Sequence, residues 1–171
     1  EQTLVTGDGQ RFIGSSITAP LEAETPMVHA ADLAADGVDA ARAALCLPGT
    51  LDATAAADML VVCDRGENAR AEKSQVVADA GGAGMVLVNV ADSGLNADLH
   101  ALPAVHLPHT ERDRLLAQVG ELTARDLVAV HAPGRGVETR LEGRVEAAHS
   151  LPVRLEGEDL VDVEPGGAVG S

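Results

Sequence analysis

Two short apolar runs separated by one helical stripe constrain this chain more than anything else in it. Met59 to Cys63 is apolar throughout and bounded by Asp58 and Asp64, the pattern of a strand covered on both faces. Ala69, Lys73, Val76, Val77 and Ala80 then recur at helical spacing, which predicts a helix whose inner face includes the aliphatic stem of Lys73. Gly81 and Gly82 stop that helix, because glycine just past a helix end takes the left-handed conformation that closes the last carbonyls. Gly84 leads into a second apolar run, Met85 to Val90. Strand, helix and strand in this compass make a βαβ unit, whose strands run parallel with a right-handed crossover. The class expected is α/β.

On either side of this unit the signals are shorter. Leu4, Phe12 and Ile17 flank Gly7-Asp8-Gly9, and an Asp-Gly pair supplies the positive φ angles of a tight turn, so Thr3 to Ile17 reads as a hairpin. Pro26 to Leu45 is rich in Ala and Asp, is interrupted by Gly37, and reads as a loop with helical fragments. Asn89 to Asp98 is polar and turn-like, and Leu102 to Leu107 is a short strand preceded by His100 and broken by Pro103. Thr110 and Asp113 resemble a capping box for a helix whose stripe is Leu115, Leu116 and Val119. Leu127 to His131 reads as a strand; the alternation of Val137, Thr139 and Leu141, that of Leu151, Val153 and Leu155, and the run Leu160 to Val163 read as hairpin strands divided by glycines. Pro165 to Ser171 reads as a loose end, and no internal repeat is visible.

At 171 residues one domain is the natural expectation, and such a chain buries roughly two-thirds of its unfolded surface. Phe12 is the single aromatic, so the core must be aliphatic. No apolar run approaches the ~20 residues needed to cross a bilayer, and Glu1 to Pro20 lacks the basic start and apolar middle of a secretion signal. No membrane association is expected. Twenty-seven acidic against twelve basic residues give a net charge of −15, a field that repels phosphate backbones and argues against nucleic acid as a partner. Eleven of the twelve basic residues are Arg; Lys73 is the exception.

Cys46 and Cys63 stand 17 positions apart. An even count allows a disulfide, which over such a loop stabilises by ~3 kcal/mol in the chain-entropy model. Two buried, inert thiols are the alternative. Zinc is poorly supported, since no CxxC pair exists and two thiolates leave a tetrahedral shell unfilled. His100, His106 and His109 lie near one another, but Pro108 divides the last two, and ordinary loop histidines explain them better than a metal site. Gly81 to Gly84 follows a helix, so no helix N-terminus faces an anion there. Asp64-Arg65-Gly66 reads as a strand-ending turn with Arg65 available for a carboxylate, and the Glu72 and Lys73 charges as a solvated helix face. No GxSxG elbow occurs. Asp92-Ser93-Gly94 is half of an aspartic-protease pair, whose chemistry needs two such loops sharing a proton. The expectation is no catalytic residue, no metal and no cofactor.

The succession Cys46-Leu47-Pro48-Gly49-Thr50-Leu51-Asp52, Leu60-Val61-Val62-Cys63-Asp64-Arg65-Gly66, Glu72-Lys73, Ala80-Gly81-Gly82-Ala83-Gly84-Met85-Val86-Leu87-Val88-Asn89 and Ala97 to Val105 resembles the protease-associated (PA) domain, in the version inserted in subtilisin-like serine proteases. The resemblance runs from Thr3 to about Val119. It implies an α/β fold of α+β character, in which a curved, partly closed sheet or barrel holds the βαβ unit and two peripheral helices. It also implies a Cys46–Cys63 disulfide, as in plant-type relatives. Residues 1–125 are read as the PA domain, and 126–171 as a β-rich extension that completes the barrel or begins the next protease segment. His29 and Ala30 depart from the family pattern, standing where an apolar-aromatic strand is usual.

The subtilase His-Gly-Thr and Gly-Thr-Ser-Met contexts do not occur here. The implied role is therefore that of a non-catalytic, extracellular insert that restricts substrate access or mediates protein–protein contact. Its partners would be the catalytic domain of a parent serine protease, a polypeptide substrate, and a second copy in a homodimer. A free-standing or receptor-borne PA domain that binds peptides is the alternative. An insert in a zinc aminopeptidase is a weaker third reading.

Overall fold

The computed structural model describes residues 1–21 and 23–119 and the backbone of 152–157. The expected βαβ unit is its centre. Strand β4 (Leu60–Asp64) and strand β5 (Gly84–Val88) pair in parallel from Leu60 opposite Gly84 to Asp64 opposite Val88, and every residue of both is buried. Between them runs helix α3 (Arg70–Asp79). Its end has the bonding expected of a glycine stop. Gly81 takes φ +82°, the Gly82 N–H reaches the Val77 carbonyl and the Gly81 N–H that of Ala78, both at 2.9 Å.

Further strands extend the sheet on both sides. Strands β3 (Thr25–His29) and β6 (Ala104–Leu107) flank the central pair in parallel. Strands β1 (Gln2–Val5) and β2 (Arg11–Gly14) form the predicted hairpin, which Gly9 turns at φ +85° while Asp8 keeps a negative φ. Strand β7 (Pro152–Gly157) lies antiparallel between β1 and β3, giving the order β2-β1-β7-β3-β4-β5-β6. The strands read at 127–131, 137–141 and 160–163, and the end at 165–171, lie outside the described residues.

Strand β3 corrects the reading of 26–45 as a loop with helical fragments. The fragments exist, as a 3-10 turn at Ala30–Leu33 and helix α1 (Ala40–Ala44), but they follow a strand. Pro26 hides it: a residue with no N–H is tolerated near a strand's start, and here it stands opposite Pro152 of β7. The buried Thr25 and Met27 then alternate with half-exposed neighbours, a pattern too short to recognise.

Two apolar layers sandwich the sheet. On one face Val61, Cys63, Met85 and Leu87 pack with Ala30, Leu33, Cys46, Ala56 and Val77, contributed by the 3-10 turn, the α1 end, helix α2 (Ala53–Ala56) and α3. On the other, Leu60, Val62, Val86 and Val88 pack with Leu4, Phe12, Met27, Leu115 and Val119, the last two from helix α4 (112–119). Thr110 does not open that helix as a capping residue: it lies within a 3-10 turn, His109–Glu111, whose N-cap is Pro108 without a side-chain bond.

The two outer strands nearly meet. Ser15 and His106 exchange N–H···O bonds of 3.0 and 2.9 Å, an isolated antiparallel bridge that joins the β2 end to β6. Continued one way, that register would place Ile13 opposite Pro108, which has no N–H to give. On the other side the Thr18 hydroxyl accepts the Ala104 N–H at 2.9 Å and donates to the Ala104 carbonyl at 3.2 Å, standing in for backbone. The sheet is therefore curved and joined at one point, without a full ladder.

Gly14 makes this approach possible. A Cβ there would stand 2.5 Å from the His106 carbonyl oxygen and 2.7 Å from Val105 Cγ2. Gly14→Ala is expected to destabilise by about 2 kcal/mol, the cost of overpacking against backbone. Urea unfolding of both proteins checks it, and coincident midpoints would show that the seam yields freely.

Candidate functional site at the carboxyl edge of the parallel strands

In α/β sheets, side chains just beyond the carboxyl ends of parallel strands face a common crevice. Here β3 ends at His29, β4 at Asp64 and β5 at Val88, followed by Asn89. Asp64 is 7% exposed and lies under the α4 guanidinium of Arg112, which donates Nε to Oδ1 at 2.9 Å and Nη2 to Oδ2 at 2.7 Å. Burial works against ionisation of Asp64, but His29 and the Arg112 fork outweigh it and hold the carboxyl at about 2. His29 Nε2 stands 3.8 Å from Asp64 Oδ2, beyond hydrogen-bond reach, so the fork is the bonded partner and His29 acts through its charge when protonated. In the other direction Asp64 raises the Arg112 pKa.

His106 is 1% exposed on β6 and belongs to a second polar group. Its Nδ1 accepts the Asn96 N–H at 3.1 Å, which leaves the proton on Nε2 to be donated to Asn89 Oδ1 at 2.7 Å. Burial pushes its pKa down, favouring the neutral ring.

These contacts fix the loop from Asn89 to Pro103. Asn89 Nδ2 donates to the Ser93 carbonyl at 2.9 Å, and Arg65 Nη1 to the Ser93 hydroxyl at 3.3 Å. Arg70, at the start of α3, pairs with Asp98 through both its Nε and its Nη2, the latter at 3.1 Å. The Ser74 hydroxyl of α3 accepts the Ala101 N–H at 3.1 Å. Pinned from beneath, the loop turns Val90, Leu95 and Leu99 outward at 54%, 39% and 81% exposure. Leu95 shares a shallow groove with Ile13 of β2, itself 55% exposed. The loop thus sets apolar side chains outward on a hydrogen-bonded frame.

Several sequence expectations change here. Lys73 is not on a solvated face: it is fully buried, its Nζ donating to the Leu45 carbonyl and Asn68 Oδ1. Arg65 meets a hydroxyl, and the carboxylate beside it is taken by Arg112. His100, His106 and His109 do not converge. Burial pushes the His100 pKa down, while half-buried His109 stands 3.9 Å from Asp92. Among the described residues no three of His, Cys, Asp and Glu gather as metal ligands. Cys46 and Cys63 are joined as a disulfide, Cα to Cα 5.7 Å. Ser93 of Asp92-Ser93-Gly94 serves the loop pins. No helix among the described residues is long and apolar enough to cross a membrane.

The members of the Asp64–Arg112 pair stand 48 positions apart, so no local pattern joins them. One signal was present: Asp64 closes an otherwise apolar, doubly covered strand, and a carboxylate there requires a cation.

A model of the PA domain family matches residues 18–115. The subtilisin-like proteases SBT1.4 and SBT5.4 of Arabidopsis thaliana are 41% and 37% identical over 105 and 114 residues, covering 58% and 64% of this chain. The chain spans only 12% and 15% of the length of those relatives. Among solved structures, a zinc aminopeptidase from Bacillus subtilis superposes with a TM-score of 0.51 at 19% identity, over 68% of this chain and 28% of that one, a likeness of fold alone. The family match spans the strands and loop that build the carboxyl edge, and the chain belongs to the PA domain family, in the form related to subtilisin-like proteases.

Proposed function

We propose that this PA domain is a non-catalytic part of a secreted subtilisin-like serine protease and governs how polypeptide substrates reach the catalytic domain. The observation that carries this reading is the loop from Asn89 to Pro103, whose Val90, Leu95 and Leu99 face outward while Asn89 and Ser74 bond its backbone and Arg65 and Arg70 bond its Ser93 and Asp98 side chains. A surface fixed in advance loses little conformational entropy on contact, so its apolar area counts toward binding. Its partners are the parent's catalytic domain and the substrate chain, or the same surface of a second copy. The reading assigns no catalytic triad to these residues. It places the protein outside the cell, a compartment in which the Cys46–Cys63 bond persists. It also takes β7 into the same domain, supported by the pairing of that strand with β1 and β3.

In the parent protease, the triple change Val90→Ser, Leu95→Ser and Leu99→Ser is expected to lower kcat/KM on a protein substrate about tenfold, the equivalent of ~1.4 kcal/mol. Turnover of a short peptide should stay as it was. An unchanged ratio between the two substrates defeats the proposal.

A further inference from the structure

The single lysine of the chain, against eleven arginines, is a fully buried residue beside the disulfide turn. Burying an ammonium demands partners, and those of Lys73 are the Leu45 carbonyl and Asn68 Oδ1. Asn68 then donates its Nδ2 to the Cys46 carbonyl at 3.2 Å, and the Cys46 N–H reaches the Ala43 carbonyl at 2.7 Å. Cys46 is thus held on three sides by groups that do not involve sulfur, at a φ of +48° that a non-glycine residue rarely keeps unaided. The other cysteine is equally fixed. Cys63 lies in the middle of β4, paired with Leu87 of β5 and fully buried. Gly66 closes the arrangement: a Cβ there would stand 2.5 Å from Leu45 Cδ2, so the turn after β4 presses directly on the residue before Cys46.

We propose that the fold itself, and not the S–S bond, holds Cys46 opposite Cys63, so that the fold stands when the bond is open, and that Lys73 and Asn68 are the positioning residues that keep the two apposed. Oxidation by a small disulfide such as glutathione disulfide removes two protons and two electrons from the two thiols. The S–S bond forms in the protein, the bond of the reagent breaks, and two glutathione thiols leave. Fixing two thiols before they react raises their effective concentration, as orientation does for any intramolecular step. An arginine would not serve in place of Lys73, because its planar fork spreads donors that must here converge on one turn.

The test equilibrates the 171-residue chain at pH 7 in glutathione buffers of graded ratio, traps the thiols and reads the effective concentration of the pair, with amide hydrogen exchange on the reduced chain. Reduced protein is expected to keep protection in β4 and α3. Lys73→Met and Asn68→Ala should each lower the effective concentration at least tenfold. Leu115→Ala, in the opposite apolar layer, should leave it within about twofold, since a distant loss of stability does not move Cys46. Loss of protection on reduction, or an equal drop in all three variants, overturns the proposal. Should Lys73→Met not fold, Asn68→Ala carries the test, with the same two outcomes.

Discussion

Replacing Arg112 by alanine is expected to cost about 3 kcal/mol of stability at pH 7, the lower end for breaking a buried pair by removing one member. The reason lies with the survivor. Asp64 is 7% exposed at the end of a doubly covered strand, and without the fork it keeps a buried charge with its His29 neighbour 3.8 Å away, beyond hydrogen-bond reach. The lower end applies because the Arg112 side chain is 29% exposed and water can take part of its place.

Acid sharpens this prediction. With a folded pKa of about 2 against an ordinary 3.8, Asp64 contributes stability that is fully present above pH 3.8 and is lost as pH falls toward 2. Such a difference is worth about 2 kcal/mol by linkage. In Arg112→Ala the depression is relieved, so the folded and unfolded values draw together and the Asp64 share of the acid loss disappears from the stability curve. Urea unfolding followed by circular dichroism between pH 2 and 7 measures both effects, and superimposable curves for the two proteins would refute them.

Phe12→Ala should be more damaging still, by about 4 kcal/mol, in the range of buried aromatic truncations. Phe12 is fully buried and is the one Phe in a chain with no Tyr or Trp. It fills the space between the β1–β2 hairpin and α4 against Leu4, Leu115 and Val105, and the Arg114 guanidinium sits 4.0 Å from its ring centroid. Truncation removes both the packing and the surface on which that cation rests. Phe12→Leu, which keeps most of the volume, should lose only about 1 kcal/mol. Equal midpoints for the alanine and leucine variants would mean that the aliphatic neighbours collapse into the space.

What the chain reveals by itself follows from how local each signal is. Strands β4 and β5 and helix α3 were legible because a doubly covered strand is a continuous apolar run and a packed helix repeats at its own period. The hairpin was legible through Gly7-Asp8-Gly9. Strand β3 was not, because Pro26 masks its start and tertiary pairing with β4 and β7 decides it. Nor was the burial of Lys73: helical spacing put its stem on the inner face, but only the fold supplies the Leu45 carbonyl and Asn68 that accept its charge. The carboxyl-edge site is the least legible part. Asp64, Arg112, Asn89 and His106 come from four segments, and nothing in their spacing brings them to one end of the sheet. The seam at Ser15 and His106 is hidden for the same reason, although Pro108, which stops it, was in plain view.

The place of β7 has a consequence for how such a sheet is assembled on the ribosome. The strand that joins the hairpin to the parallel half is made after the other six described strands: Thr25 of β3 pairs with Val153, and Gln2 of β1 with Gly157. At common rates of synthesis the intervening stretch takes on the order of ten seconds to emerge. Throughout that interval the flanks of β1 and β3 that β7 will cover stand open to any passing strand.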